Sequence, residues 1–216
     1  LIAFDIGASL PGDATITLVT LALNLSKTPT SARTATLHRV LADWGEGSSN
    51  AASNEGDGTL AATGDATWLH TFHNTQTWAS AGGDFEAGSS ASRSISGAGP
   101  YTWSSAGMVT DVQAWLDDPS TNFGWMIRGD ESGSKTAKRF DSREHPTTAN
   151  RPTLTIEFEL PVANQAPIVA GALADTGVVA GNTLRFALDS LGVFTDADGD
   201  SLSYSAGSKA MRSRPR

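Results

Sequence analysis

The sequence predicts an all-β fold, an antiparallel sandwich with one short helix. Three observations carry this. Phe123, Trp125 and Ile127 alternate with Gly124, Met126 and Arg128, and Leu154, Ile156, Phe158 and Leu160 alternate with Thr153, Thr155, Glu157 and Glu159, the period of two that marks half-buried strands. Runs rich in Thr, Val and Leu are separated by clusters of Gly, Ser, Asn and Asp, as strands are by turns. Only one stretch, Met108, Val112, Trp115 and Leu116, has apolar residues at helical spacing. Trp125, Ile127, Leu154, Ile156 and Phe158 are therefore expected to share one core.

Taken in order, residues 1–6 and 14–25 read as the first strands, joined by the turn segment LPGD (10–13). In the second of these, Ile16, Leu18, Thr20, Ala22 and Asn24 fall on one face and Thr17, Val19, Leu21, Leu23 and Leu25 on the other, which suits an inner strand. Residues 34–40 alternate again. From 43 to 100 the pattern dissolves into Gly, Ser, Ala and Asn, yet the segment holds Trp44, Trp68, Phe72, Trp78 and Phe85. A disordered linker is poor in aromatics, so this is read as a long structured connection with short strands near 67–72 and 92–95. Ser105 caps the helix, and DDP (117–119) ends it. A short strand is expected at 138–142. Arg143 and Glu144 then point to opposite faces, with Arg151 the nearest partner for Glu144. The segment PVANQAP (161–167) has linker composition.

The chain has no cysteine, which excludes disulfides, thiolate metal sites and thiol catalysis. Its formal charge of −8 is spread rather than blocked; it argues against a nucleic-acid partner and is compatible with calcium or neutral glycans. No apolar run approaches a membrane span, and the opening residues read as a strand already under way rather than as a signal peptide.

The pieces NFGWMIRGDE (122–131), RFDSRE (139–144) and RPTLTIEF (151–158), with LIAFDI, RVLADWGEG, GDATWLHTF and WASAGGDF earlier, resemble the DNRLRE-type domain, a β-sandwich family related to archaeal disaggregatase repeats and counted among carbohydrate-binding modules. The resemblance covers most of residues 1–160. It implies a jelly-roll-like, secreted and non-catalytic fold, from which the opening strand or two would be missing. The run 164–204, through Asn164, Pro167, Phe194, DADGD (196–200), Leu202 and Tyr204, resembles the first half of a dystroglycan-type cadherin-like module. The expected organisation is thus a sandwich at 1–160, a linker at 161–167, a partial Ig/cadherin-like module at 168–206 and an atypical basic tail at 207–216, all cut from a longer polypeptide. The half-module lacks a partner sheet, so it is expected to be poorly ordered on its own.

Two constellations carry chemistry. Trp44, Trp68, Trp78, Tyr101 and Trp103 are candidates to stack on sugar rings, with Asp43, Glu46, Asp84 and Arg93 fixing hydroxyls or a uronate. The competing reading makes the rings a private core beneath a long loop. Asp196, Asp198 and Asp200, with Gly199 permitting the turn, offer hard oxygen ligands suited to calcium, without the later glycine and terminal glutamate of an EF-hand; the cadherin-like resemblance would add Asn164. The alternative is a solvated turn. Catalysis is not expected. Asp43 with Glu46, or Asp141 with Glu144, are only short-range carboxylate pairs, and His70 and His73 would face opposite ways on a strand.

The expected molecule is a non-catalytic module of a secreted or cell-surface prokaryotic protein that binds polysaccharide or cell-surface glycan and is followed by a calcium-stiffened spacer contacting flanking domains. A purely structural adhesion or stalk module is the alternative, and a polysaccharide-cleaving enzyme the third reading.

Overall fold

The computed structural model describes residues 1–28, 32–50, 58–134, 136–172, 179, 181–182 and 192–204. The chain divides into two units, Leu1–Pro161 and Val162–Arg216. The first is mostly β, with antiparallel sheets and, among the described residues, one α-helix.

Strand β1 (Thr15–Lys27) is the axis of one sheet, with β6 (Gly99–Ser104) along one side and β9 (Thr153–Glu159) followed by β8 (Arg139–Phe140) along the other. The second sheet has the order β5 (Ala91–Ile95), β2 (Arg33–Arg39), β7 (Trp125–Gly129). Residues 1–6 add only a bridge from Ile2 to Trp125. A hairpin of β3 (His70–Phe72) and β4 (Gln76–Thr77) rises from the long connection.

Val19, Leu21 and Leu23 of β1, Ala35 and Leu37 of β2, Trp103 of β6 and Trp125 of β7 belong to a single buried cluster, so the two sheets share one core. Ile127, Leu154 and Ile156 pack against it as expected, whereas Phe158 is 37% exposed and outside it. The face assignment of β1 needs correction. Ile16 is buried and Leu18 is 40% exposed, because Ile16 opposes Phe158 while Leu18 opposes Glu157, with an extra residue at Thr17. This β-bulge exchanges the two faces of the strand partway along it. Gln113 from the helix completes the irregular stretch: its Oε1 accepts from Ile16 N at 2.9 Å and its Nε2 donates to the Ala14 carbonyl at 3.3 Å.

The helix α1 (Ala106–Asp117) starts where predicted. Ser105 Oγ accepts from Met108 N at 3.1 Å, and Met108, Val112, Trp115 and Leu116 are buried. It ends at Asp118, whose Oδ1 accepts from Ser120 N and so caps a following 3-10 turn, Pro119–Thr121. The buried face also carries Asp111, which accepts from Ser90 Oγ at 2.5 Å and from Trp125 Nε1 at 2.7 Å. Trp125 packs edge-on against Trp115, centroids 4.6 Å apart. Its neighbour Gly124 has φ +73°, and a β-carbon there would collide with the Ile2 carbonyl oxygen, so the Ile2 bridge requires glycine at this point.

After β8 the chain turns rather than continuing as a strand, which corrects the partners expected for Arg143 and Glu144. Arg143 Nε lies 2.7 Å from Glu46 Oε1 and 3.2 Å from Glu144 Oε1, while Arg151 Nε donates to the His145 carbonyl at 2.8 Å.

In the second unit, β10 (Ile168–Val169) pairs antiparallel with β11 (Phe194–Thr195), and Phe194 meets Tyr204 with centroids 5.7 Å apart. Most of the apolar residues expected to build a lone sheet here, and the whole basic tail, lie outside the described residues.

Asp111→Ala should lower the free energy of unfolding by about 3 kcal/mol, since it removes a bond to a carboxylate and strands the Trp125 N–H in the core. In the Asp111→Ala/Trp125→Phe double variant that N–H is gone, so the two costs should add to less than their sum. Urea unfolding checks both; strict additivity would mean the pair is not coupled.

Candidate functional site

Three segments of the long connection are fastened to one another. Gly45 N donates to the Thr71 carbonyl at 3.0 Å and Ala66 N to the Gly45 carbonyl at 2.8 Å. Asp65, buried, accepts from Ser48 N at 2.9 Å and Ala62 N at 2.7 Å. Asp84 accepts from Ala79 N at 2.8 Å and Ser80 N at 2.9 Å, and its carbonyl takes Leu41 N. These bonds give a loop of low regularity a fixed shape.

That shape brings three of the predicted aromatic residues together. Trp44, Trp68 and Trp78 line one cleft of about 480 Å³, with Met126 of β7, Thr67 and Gly82. Trp68 is 73% exposed, and its ring lies over Gly82, which has φ +96° and where a β-carbon would press on the indole at 2.9 Å. Trp78 is 6% exposed and forms a wall; its Nε1 donates to the Thr67 carbonyl at 2.9 Å. Trp44 is half-buried and donates from Nε1 to the Phe123 carbonyl at 2.8 Å. Both bonds lock ring orientation and leave the carbon faces as the contact surface. Leu1, Trp44 and Glu46 also line a larger opening of about 760 Å³ between the two sheets.

The other predicted glycan residues lie elsewhere. Trp103 is 1% exposed, because its position on β6 opposite Leu21 turns it into the core, where Nε1 donates to the Ala35 carbonyl at 3.2 Å. Tyr101 is two residues away on the same strand, and its hydroxyl accepts from Ser96 N at 3.0 Å and donates to the Gly97 carbonyl at 2.8 Å. Asp84 spends both carboxylate oxygens on its own loop, and Asp43 accepts from Trp44 N at 2.9 Å. Arg93 is exposed on β5. The sequence reading missed Met126 and Gly82; the double glycine at 82–83 was the available signal for the latter.

His70 and His73 meet edge to face at 5.1 Å, contrary to the opposite-face expectation. The strand ends at Phe72 and the chain turns through Asn74, which has φ 66°, so period-two geometry does not reach His73. Their Nδ1 atoms face Thr67 Oγ1 at 3.1 Å and the Ala62 carbonyl at 3.2 Å. Asp141 is buried against Asn24 Nδ2 at 2.7 Å, and Glu144 is bound to Arg143.

In the second unit, Asp196 Oδ1 accepts from Asp198 N at 2.9 Å and Asp200 N at 3.3 Å, and Asp198 Oδ2 accepts from Gln165 N at 2.5 Å. The carboxylates of Asp196 and Asp198 are thus turned to backbone amides. Among the described residues no group of three or more His, Cys, Asp or Glu side chains converges as metal ligands, and no helix is long and apolar enough to cross a membrane.

Among the described residues three carboxyl groups are shifted, all downward; that of Asp130 is held down by the hydroxyl and amide of Ser132 and then by the charge of Arg33. The Asp65 carboxyl lies below its ordinary value of 3.8, held there by Ser49 and by the amides of Ala62, Ser48 and Ser49 against a smaller effect of burial. For Asp141 burial raises the pKa, but hydrogen bonds from Asn24 and Ser26 and the charges of His145 and Arg139 together outweigh it, and the net shift is downward. A depressed folded-state pKa stabilises the fold above the unfolded value, and the contribution is lost as pH falls through the folded value. Asp65→Asn should therefore destabilise the first unit most at neutral pH, with the gap from wild type closing below about pH 4. Urea melts between pH 3 and 7 check this; a gap independent of pH would rule out the carboxylate as the source.

Comparison of the chain with known protein families, with characterised proteins and with solved structures finds no match.

Proposed function

We propose that residues 1–160 are a jelly-roll-like, non-catalytic polysaccharide-binding module, similar to the DNRLRE-type domains, of a secreted or cell-surface prokaryotic protein. The observation that carries this is the convergence of Trp44, Trp68 and Trp78 on one cleft, with Trp68 left 73% exposed on a loop whose segments are hydrogen-bonded to one another. Large aromatic rings are costly to leave in water, and an exposed indole beside a concave wall is suited to the apolar C–H face of a sugar. Glu46 and Glu144 are each bound to Arg143, an arrangement for holding a loop or a hydroxyl rather than for moving a proton.

A second reading, a structural adhesion or stalk module, is favoured by the internal hydrogen bonds of Trp44, Trp78 and Asp84, which a loop evolved only for packing would also have. Titration of intrinsic fluorescence with a panel of glycans separates the two. Binding should quench or shift the emission, Trp68→Ala should weaken it about tenfold, equal to about 1.4 kcal/mol, and Tyr101→Phe should leave it unchanged. No response to any glycan would favour the structural reading.

For the second unit the proposal is a cadherin-like spacer at which calcium binds weakly through Asp196, Asp198, Asp200 and Asn164. Asp198 would have to release Gln165 N to serve as a ligand, which sets part of the cost. Calorimetric titration should give a dissociation constant of about 10⁻⁴–10⁻³ M, the range of extracellular calcium modules. No heat at millimolar calcium would remove calcium from the proposal.

A further inference from the structure

Trp125 and Ile127 of β7 turn toward the core, so Met126 between them stands on the outer face of the smaller sheet, opposite His38 of β2. The next outward residue on this strand is Arg128, as a solvent-facing position would lead one to expect. Met126 has a local reason to be apolar, because the long connection crosses the sheet here. A β-carbon on Gly83, which has φ +113°, would collide with the Met126 methyl carbon and lie 3.8 Å from its Sδ. Gly82, one residue earlier, lies against the Trp68 indole and donates its N–H to the Trp68 carbonyl at 2.7 Å. Met126 thus seats the turn that supports the exposed ring, and it also lines the cleft with Trp44, Trp68 and Trp78.

A thioether is apolar, and a mild oxidant makes it a polar sulfoxide. Of the three methionines, Met108 is 0% exposed in the core and Met211 lies outside the described residues, whereas Met126 is half-buried and borders an open cleft. A small peroxide entering that cleft meets the Met126 side chain. With hydrogen peroxide, a sulfur lone pair attacks one oxygen, the O–O bond breaks, that oxygen stays on sulfur and the other leaves as water, so the thioether is oxidised and the peroxide reduced. We propose that Met126 is a reversible oxidation site, at which sulfoxide formation puts a polar oxygen into the apolar wall of the cleft, disturbs the seat of Trp68 on Gly82 and Gly83, and weakens ligand binding. The effect on binding rests on the reading of the cleft as a glycan site; the modification itself does not.

The full chain is treated briefly with dilute hydrogen peroxide, mapped by peptide mass spectrometry, and titrated by tryptophan fluorescence with mannose and mannuronate oligomers, a neutral and an acidic series. One oxygen should appear on Met126 well before any appears on Met108, the tryptophan emission should shift, and affinity for whichever series binds should fall several-fold. Methionine sulfoxide reductase should restore both emission and affinity. Met126→Leu should show no change on treatment, whatever its starting affinity. Met126→Gln, which places a polar amide in the same wall, should bind more weakly than the untreated wild type and stay unchanged by peroxide. Three results would overturn the proposal: oxidation of Met126 no faster than that of Met108, complete oxidation that changes neither emission nor affinity, or an equal loss in peroxide-treated Met126→Leu, which would assign the effect to another residue. If neither series binds, the glycan reading fails, and oxidation of Met126 ahead of Met108 with a shift in emission still upholds the modification site.

Discussion

Trp125 is the residue through which the parts of the first unit are joined. Its backbone exchanges hydrogen bonds with Ile2 at 2.8 and 2.9 Å, its strand sets the register of β2, its ring meets Trp115 of the helix, and its indole N–H ends on Asp111. A buried tryptophan usually finds an acceptor for its N–H, and for Trp125 this is a carboxylate that must itself be satisfied, whereas the buried N–H of Trp115 has no acceptor among the described residues. Ser90, just before β5, supplies the second bond. One side chain thus ties helix, both edges of the smaller sheet and the start of the chain into one arrangement, and Gly124 beside it admits the close approach that the arrangement needs.

The cleft depends on this indirectly. Met126, the next residue along β7, forms part of its floor, and Trp44 is oriented by the carbonyl of Phe123, two residues before Trp125. The loop that carries Trp68 and Trp78 is irregular, but it is hung on a strand whose position is fixed from the core side. A surface that must hold a ring steady gains from this, because rigidity in the free state leaves less entropy to lose on binding.

Much of the fold was legible because its signals are local. The alternation in β7 and β9, the helical spacing of Met108, Val112, Trp115 and Leu116, and the Ser105 cap each lie within a few residues of one another. The failures have non-local causes. Trp103 and Trp68 both sit in polar, glycine-rich surroundings, but pairing with Leu21 turns the first inward and the other stands on a loop. His73 lies beyond a strand end that only Asn74 hinted at, and Arg143 found Glu46 from far along the chain. Of the candidate site, the sequence supplied three of the rings; which of them converge was decided by hydrogen bonds between loop segments that no periodicity encodes.

The irregularity in β1 bears on how this strand tolerates change. Ala14 and Ile16 are buried on one parity, and Val19, Leu21, Leu23 and Leu25 on the other. Removing one residue at the junction, Thr17 or Leu18, brings all six onto a single unbroken alternation. In most core strands a one-residue deletion reverses every side chain beyond it. Here the extra residue is a slack link, and the strand could shorten by one without exposing its apolar face.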